Sequence, residues 1–409
     1  MNYIKLRNNA LYVENISAQK IAKKYKTPFY CYSLSQLKSN FYNFQYSFKS
    51  VKPLICFSVK SNSNLTVLKE LKKMGSGADV VSYGELLKAT KVGINPKKIV
   101  FSGVGKTEEE IKLAIKKGVL LINIESKSEA NLINKISKRM SKKTSIGIRL
   151  NPNISAKTHS KISTGRKEDK FGLNYKDCLD LCKKIKNFKN LKIQGLSVHI
   201  GSQITNIDPF KKTLFILNKI IKKTKIKFKF IDLGGGMGIS YTNKDKELNL
   251  KNYAKLVNKF AKNNRTQIIF EPGRFIVGNT SILISKIIYI KKNNNRTFII
   301  LDAGMNDLMR PALYDAHHKI IPLIKSNKRI NGNIEFVGPI CESSDKFLSE
   351  KSFPKIKEGN YVAITDVGAY GMSLSSNYNT RPTISEIMVD RSKYKIIKKR
   401  QSLENLINN

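Results

Sequence analysis

Acidic residues are scarce in this 409-residue chain: 30 Asp and Glu stand against 75 Lys and Arg, a net charge of +45. Cysteine is scarcer still, with five residues at 31, 56, 178, 182 and 341, an odd number with no CxxC spacing. In a chain this large that excludes a disulfide framework, and only four histidines, none at metal spacing, argue against a structural zinc site. Cys178 and Cys182 lie one helical turn apart and read as small apolar helix residues. A reducing cytoplasm fits this cysteine usage. No apolar run approaches the roughly 20 residues that cross a bilayer. The opening "MNYIKLRNNALYVENIS" lacks the apolar core and cleavage site of a signal peptide, so none is expected.

An excess of positive charge raises the question of a nucleic-acid or membrane partner. Lysine is spread along the whole chain together with abundant Asn and Ile, the trio that AT-rich codons favour. There is no basic tail and no Arg-rich stripe. Neither nucleic acid nor membrane is therefore expected as a partner, although the field still draws in small anions.

From Pro53 onward, short β-branched and aromatic runs alternate with amphipathic segments of helical length. The predicted strands are 53–60, 77–82, 98–103, 120–126, 144–152, 191–202, 228–236 and 266–274. Seven helices are expected between them. Eight such units point to a closed parallel (β/α)8 barrel of the TIM type, with an open doubly wound sheet as the alternative. After Gly278 the pattern turns to strands with short turns between them. The expected organisation is an α/β barrel over 36–278 and a mainly β domain from 1–35 plus 279–409.

Residues able to do chemistry gather at the C-terminal strand ends, the edge where barrels of this kind carry their sites. Lys60 ends the first strand and is placed for the lowered basicity and imine chemistry of a half-buried amine. His199 and Ser202 in "HIGSQ" end the sixth. The glycines in "DLGGGMGISY" (232–241) end the seventh, where backbone N–H groups form a phosphate cradle or a tight turn. Glu271 in "EPGR" ends the eighth and needs a partner, either Arg274 or a protonated ring nitrogen. The polar connection 149–174 after strand five has the length of a functional loop or of a surface insertion. A separate stretch, "VGPICESSD" (337–345), sets Cys341 beside Glu342.

Phosphate cradle, imine-forming lysine, ring-facing residue and buried carboxylate together describe a pyridoxal 5'-phosphate site. At this point the chain resembles the fold-type III pyridoxal phosphate-dependent decarboxylases, the ornithine decarboxylase and alanine racemase fold, and most closely the diaminopimelate decarboxylase family. The resemblance spans nearly the whole chain through "FSVKSNSN", "GSGADVVSYGEL", "GVGKTEEE", "INIES", "KFGL", "HIGSQI", "DLGGGMGISY", "EPGR", "LDAGMNDLMRPALYDAHH", "VGPICESSD" and "TDVGAYGMSLSSNYNTRP", in the family's order. It implies that Lys60 binds the cofactor covalently and that Glu271 keeps the ring nitrogen protonated. His199 would lie on the ring face, with Asp79 also against the cofactor. Ser202, Gly235, Gly236, Pro272, Gly273 and Arg274 would form the phosphate cradle, with Tyr370 near phosphate and substrate.

Cys341 then resembles the general acid and Glu342 a substrate ligand. In the family both reach into the partner subunit's barrel, which implies a homodimer with shared sites. Arg274, Arg310 and Tyr314 would hold the distal carboxylate of a diamino diacid, meso-2,6-diaminopimelate, giving L-lysine. Decarboxylases of ornithine, arginine or carboxynorspermidine are the nearest alternatives. The Arg310–Tyr314 pair and "CES" favour a distal carboxylate over them, and Cys341 as acid argues against alanine racemase.

Overall fold

A computed structural model describes residues 3–155, 160–162, 164–242 and 245–408. Residue contacts divide the chain into two compact units, one of Phe41–Ile239 with Lys246–Phe275, the other of Met1–Asn40, Ser240–Asp245 and Ile276–Asn409.

The first unit is a closed eight-stranded barrel, and the doubly wound alternative is excluded. Its strands run in chain order Leu54–Ser58, Gly77–Val80, Ile99–Phe101, Leu121–Ile124, Thr144–Leu150, Leu191–Val198, Phe230–Asp232 and Gln267–Phe270. Every pairing is parallel, and Ile269 opposite Leu54 closes the ring. The seven expected helices lie between these strands, from Leu65–Lys73 to Leu250–Asn264. Local chemistry explains their ends. Thr107 and Glu110 form a reciprocal capping box, and Gly118 closes the same helix with φ +66°. Cys56, Val100, Leu121, Phe230 and Ile269 pack together as one buried apolar cluster. A layer of polar side chains lies within the barrel as well.

The second unit is mainly β. Its large sheet places Phe29–Ser33 between Ser281–Asn293 and Ser385–Asp390. All five residues of Phe29–Ser33 are buried, which is why "FYCYS" reads as a continuous rather than alternating run. The N-terminal segment pairs with the rest of the β domain through an isolated antiparallel bridge, Ala10 opposite Ile324, with Leu11 N–H on Leu323 O (2.8 Å) and Lys325 N–H on Asn9 O (2.7 Å). It makes a separate three-stranded sheet of Ile4–Arg7, Ala10–Val13 and Ile16–Ser17. Three strands that periodicity did not predict also appear: Ile320–Pro322, Lys346–Pro354 and Lys393–Lys398.

Among the described residues no helix is long and apolar enough to cross a membrane, and no group of three His, Cys, Asp or Glu is placed to hold a metal. All five thiols are free, and only Cys341 is exposed.

Candidate active site

The strand ends of the barrel unit carry one connected polar assembly. The first strand stops at Ser58, and Lys60 lies just beyond it in the short turn Val59–Ser61 rather than at the strand's last position. Lys60 Nζ sits 3.2 Å from Asp79 Oδ2, and Ser58 donates to the same oxygen at 2.6 Å. Asp79 is fully buried, while the lysine side chain keeps 35% of its exposure, so the amine remains reachable.

Asn123 bridges the barrel interior. Its amide donates to Ser102 Oγ (3.1 Å), just past the third strand, and to Ser197 Oγ (3.2 Å) and Asp232 Oδ2 (2.9 Å) on the sixth and seventh. Ser102 also reaches Glu271 Oε1 at 3.4 Å. Glu271, Asp232 and Asp79 thus form a buried carboxylate cluster. Burial pushes the Glu271 carboxyl well above the usual range, with Asp232 and Asp79 adding to the rise and Lys60 opposing it. Asp232 is also raised by burial, against hydrogen bonds from the Gly234 N–H and Asn123.

His199 is half-buried, and its Nδ1 accepts the Gly235 N–H at 3.1 Å. Burial, then Lys60 and Arg149, drives its basicity well down. The ring is neutral with Nδ1 as acceptor, suited to lying flat against an aromatic ligand. The glycines beside it are required by space. At Gly235 a Cβ would overlap the Glu271 carbonyl oxygen, and Gly236 takes φ +91° with Gly201 O against any Cβ. Arg274 is buried and donates to Ser202 Oγ through Nη2 (3.0 Å) and Nε (3.3 Å). Gly273 packs against Ser61, so "EPGR" lies on the Lys60 turn.

Lys60, Asp79, His199, Ser202, Gly235, Gly236, Glu271, Pro272, Gly273 and Arg274 therefore all lie in the barrel unit. Arg310, Tyr314, Cys341, Glu342 and Tyr370 lie in the β unit. There, Arg310 opens the short helix Arg310–Tyr314, which sets Tyr314 one turn away on the same face. Tyr370 is half-buried in a turn with φ +57°.

The Cys341 loop is organised by Asp345. Its Oδ2 accepts the Ile340 N–H and its Oδ1 the Met305 N–H, both at 2.7 Å. Cys341 and Glu342 are left exposed on the loop. Hydrogen bonds from Ser344 and then Tyr378 hold the Glu342 carboxyl below its usual range, as an anion.

Several members were missed in the sequence. Arg149 is buried, with Nη1 2.6 Å from Glu125 Oε1, and Glu125 Oε2 accepts the Gly172 N–H at 2.8 Å. That pair ties "KFGL" to the fifth strand. Asn123, Tyr241 and His318 were also passed over, whereas Asp232 was marked as a polar residue at the end of the seventh strand without a role. The available signal was a polar residue inside an otherwise apolar strand, as in "INIE". Of the long connection 149–174, residues 156–159 and 163 lie outside the described residues. The remainder reaches strand six through Thr164 Oγ1, which donates to His199 O at 2.9 Å.

Comparison with known proteins matches this architecture. The family model "Pyridoxal-dependent decarboxylase, pyridoxal binding domain" fits residues 34–278. The chain is 43% identical to the diaminopimelate decarboxylase of Helicobacter pylori (strain J99) over 391 residues, covering 95% of this chain and 96% of that one. It is 38% identical to the Aquifex aeolicus enzyme of the same name, covering 99% and 96%. The solved diaminopimelate decarboxylase of M. jannaschii in co-complex with L-lysine superposes with a TM-score of 0.93 at 34% identity, over 99% of this chain and 96% of that one.

The residues present fit a pyridoxal cofactor. The barrel mouth offers a reachable amine, a turn that tolerates no Cβ, a neutral imidazole and a buried carboxyl whose hold on a proton is raised. Asp79 Oδ1 is buried with no hydrogen-bond partner, so the mouth holds unspent polar capacity. By sequence over its full length, by fold and by this donor set, the chain belongs to the diaminopimelate decarboxylase family of pyridoxal-dependent decarboxylases.

Proposed function

We propose that this chain decarboxylates meso-2,6-diaminopimelate to L-lysine and CO2, the last step of lysine synthesis, using pyridoxal 5'-phosphate. The observation that carries the reading is the barrel mouth, with Lys60 on Asp79 and the proton-holding Glu271 beside the glycine turn. It occurs in a chain that matches enzymes of that name end to end.

Bound in that mouth, the cofactor supplies an electron sink for the carbanion left when CO2 departs. Lys60 would hold it covalently through its amine. The backbone N–H groups of Gly235, Gly236 and Gly273, the Ser202 hydroxyl and the Arg274 guanidinium would donate to its phosphate, Pro272, which has no N–H, would shape the turn, and Tyr370 would complete the cradle. His199 would support the ring face and Glu271 would partner the ring nitrogen. Asp79 orients Lys60. Arg310 and Tyr314, with Arg274, hold the distal carboxylate, and Glu342 holds the distal ammonium. A substrate lacking that head leaves these groups unpaired, which costs heavily. Cys341 donates the proton to the substrate carbon that lost CO2.

An acid must be shielded from water beside its substrate, yet Cys341 is exposed on the β unit. That supports a homodimer in which the 337–345 loop of one β domain (residues 1–35 and 279–409) completes the partner's barrel domain (36–278). A thiol acid also requires a reducing compartment, the cytoplasm.

Lysine and CO2 release from meso-diaminopimelate by the purified holoenzyme tests the reading. Cys341→Ala should cut kcat by about 10²-fold and leave cofactor binding intact. Turnover of ornithine or arginine in place of diaminopimelate would refute the substrate. Gly235→Ala should weaken cofactor binding about tenfold or more, because its Cβ meets backbone rather than a side chain that can move. Fluorescence titration of the cofactor-free protein reads that change.

A further inference from the structure

Arg310 is almost fully buried, and the structure accounts for its orientation. Its Nη1 donates to His318 Nε2 at 2.8 Å and to the Tyr241 hydroxyl at 3.1 Å. The guanidinium also lies 4.8 Å from the centre of the Tyr241 ring. His318 is wholly buried, and its Nδ1 is 2.8 Å from Thr365 O. A carbonyl only accepts, so Nδ1 carries the hydrogen and Nε2 presents a lone pair. That lone pair matches an arginine N–H and leaves no room for a second ring proton.

The chain is shaped to bring the two together. Asp315 ends the helix in the left-handed region (φ +51°), and Ala316 N–H turns back to Arg310 O. His318 then returns beside the arginine just before the strand Ile320–Pro322. Thr365 follows the strand Tyr361–Ile364, so the imidazole links arginine to sheet.

We infer that His318 is a positioning residue that orients Arg310 for the substrate's distal carboxylate without neutralising it. A carboxylate in the same place would fix the guanidinium equally well but would satisfy its charge and compete with substrate. A neutral imidazole gives direction and does not itself offset the guanidinium charge. Asp366 on the neighbouring turn feels Arg310, but other partners act on it more strongly. Its carboxyl takes the Thr365 hydroxyl at 2.7 Å, and Arg310 is the last of the influences acting on it, after burial, Thr365 and Lys319. Tyr241 adds a second neutral hold.

This inference rests on the reading of Arg310 as a substrate ligand, and the test separates the two. Steady-state kinetics with meso-diaminopimelate, and inhibition by L-lysine, which keeps the distal carboxylate, are measured on the wild-type holoenzyme and four variants. Arg310→Lys should raise KM and the lysine inhibition constant; no change there refutes the ligand reading itself. His318→Leu should raise both constants on the order of tenfold, with kcat within about threefold and cofactor affinity unchanged. His318→Gln, which places a neutral acceptor near Nε2, should restore both. His318→Glu, which supplies an acceptor and spends the charge, should not. If Arg310→Lys raises KM but His318→Leu does not, or if Gln and Glu behave alike, the positioning role is overturned. Should His318→Leu fail to fold, the Gln and Glu pair decides alone.

Discussion

Replacing Lys60 with alanine should lower kcat by about 10⁴-fold or more, the scale for a group in contact with the reacting atoms. Borohydride reduction of the wild-type holoenzyme, followed by peptide mass spectrometry, should find the cofactor on the peptide containing Lys60. A cofactor fixed on any other lysine would remove Lys60 from its role. The geometry also predicts a structural consequence. Lys60 is the cation on Asp79, which is fully buried and otherwise holds only the Ser58 hydroxyl. The alanine variant leaves that carboxylate without its counter-charge. Because the lysine side chain is 35% exposed, the cost falls below the ~3–5 kcal/mol of a broken fully buried pair. Adding Asp79→Asn should restore the lost melting temperature and no activity. A double variant no more stable than Lys60→Ala would show that the Asp79 charge is not what Lys60 compensates.

The barrel was legible in the sequence because its strands are parallel and buried on both faces, so each reads as a continuous apolar run between amphipathic helices. The polar residues at the strand ends were legible because a lysine, a histidine and a glutamate each follow or end such a run. The polar layer within the barrel was not. Ser102, just past the third strand, and Asn123, Ser197 and Asp232 on three others meet only through ring closure, and no local pattern encodes that meeting. His318 escaped for the same reason: its partners, Arg310, Tyr241 and Thr365, are up to 77 residues away along the chain. Lys393–Lys398 carries exposed lysines at three of its six positions, and Lys346–Pro354 buries Phe347, Leu348, Phe353 and Pro354 at its two ends rather than in alternation, so cross-strand pairing rather than an apolar period makes them strands. In "VGPICESSD" the acidic residue that shapes the loop is Asp345, not Glu342. That division follows from burial, which the sequence alone left open.

Glu271→Gln should cut kcat by about 10³-fold, the upper scale for losing one preorganised electrostatic partner, while making the cofactor-free protein more stable above neutral pH. The two effects share one cause. Glu271 is packed with Asp232 and Asp79 in the barrel, and burial together with those two charges raises its carboxyl well above its ordinary value of 4.5. The folded chain then binds a proton that the unfolded chain releases. A raised carboxyl contributes stability that is fully present below about 4.5 and is lost as pH rises through the folded value. The wild-type cofactor-free protein should therefore lose melting temperature steadily from pH 5 upward. Glutamine is neutral at every pH and of the same shape, so its curve should be flatter and should lie above wild type at pH 8. The amide cannot exchange a proton with a ring nitrogen, so under the proposed function the substitution removes the raised proton affinity that Glu271 brings to the site. A Gln variant with kcat within tenfold of wild type would refute that electrostatic role. A variant with the wild-type slope of melting temperature against pH would refute the proton held at Glu271.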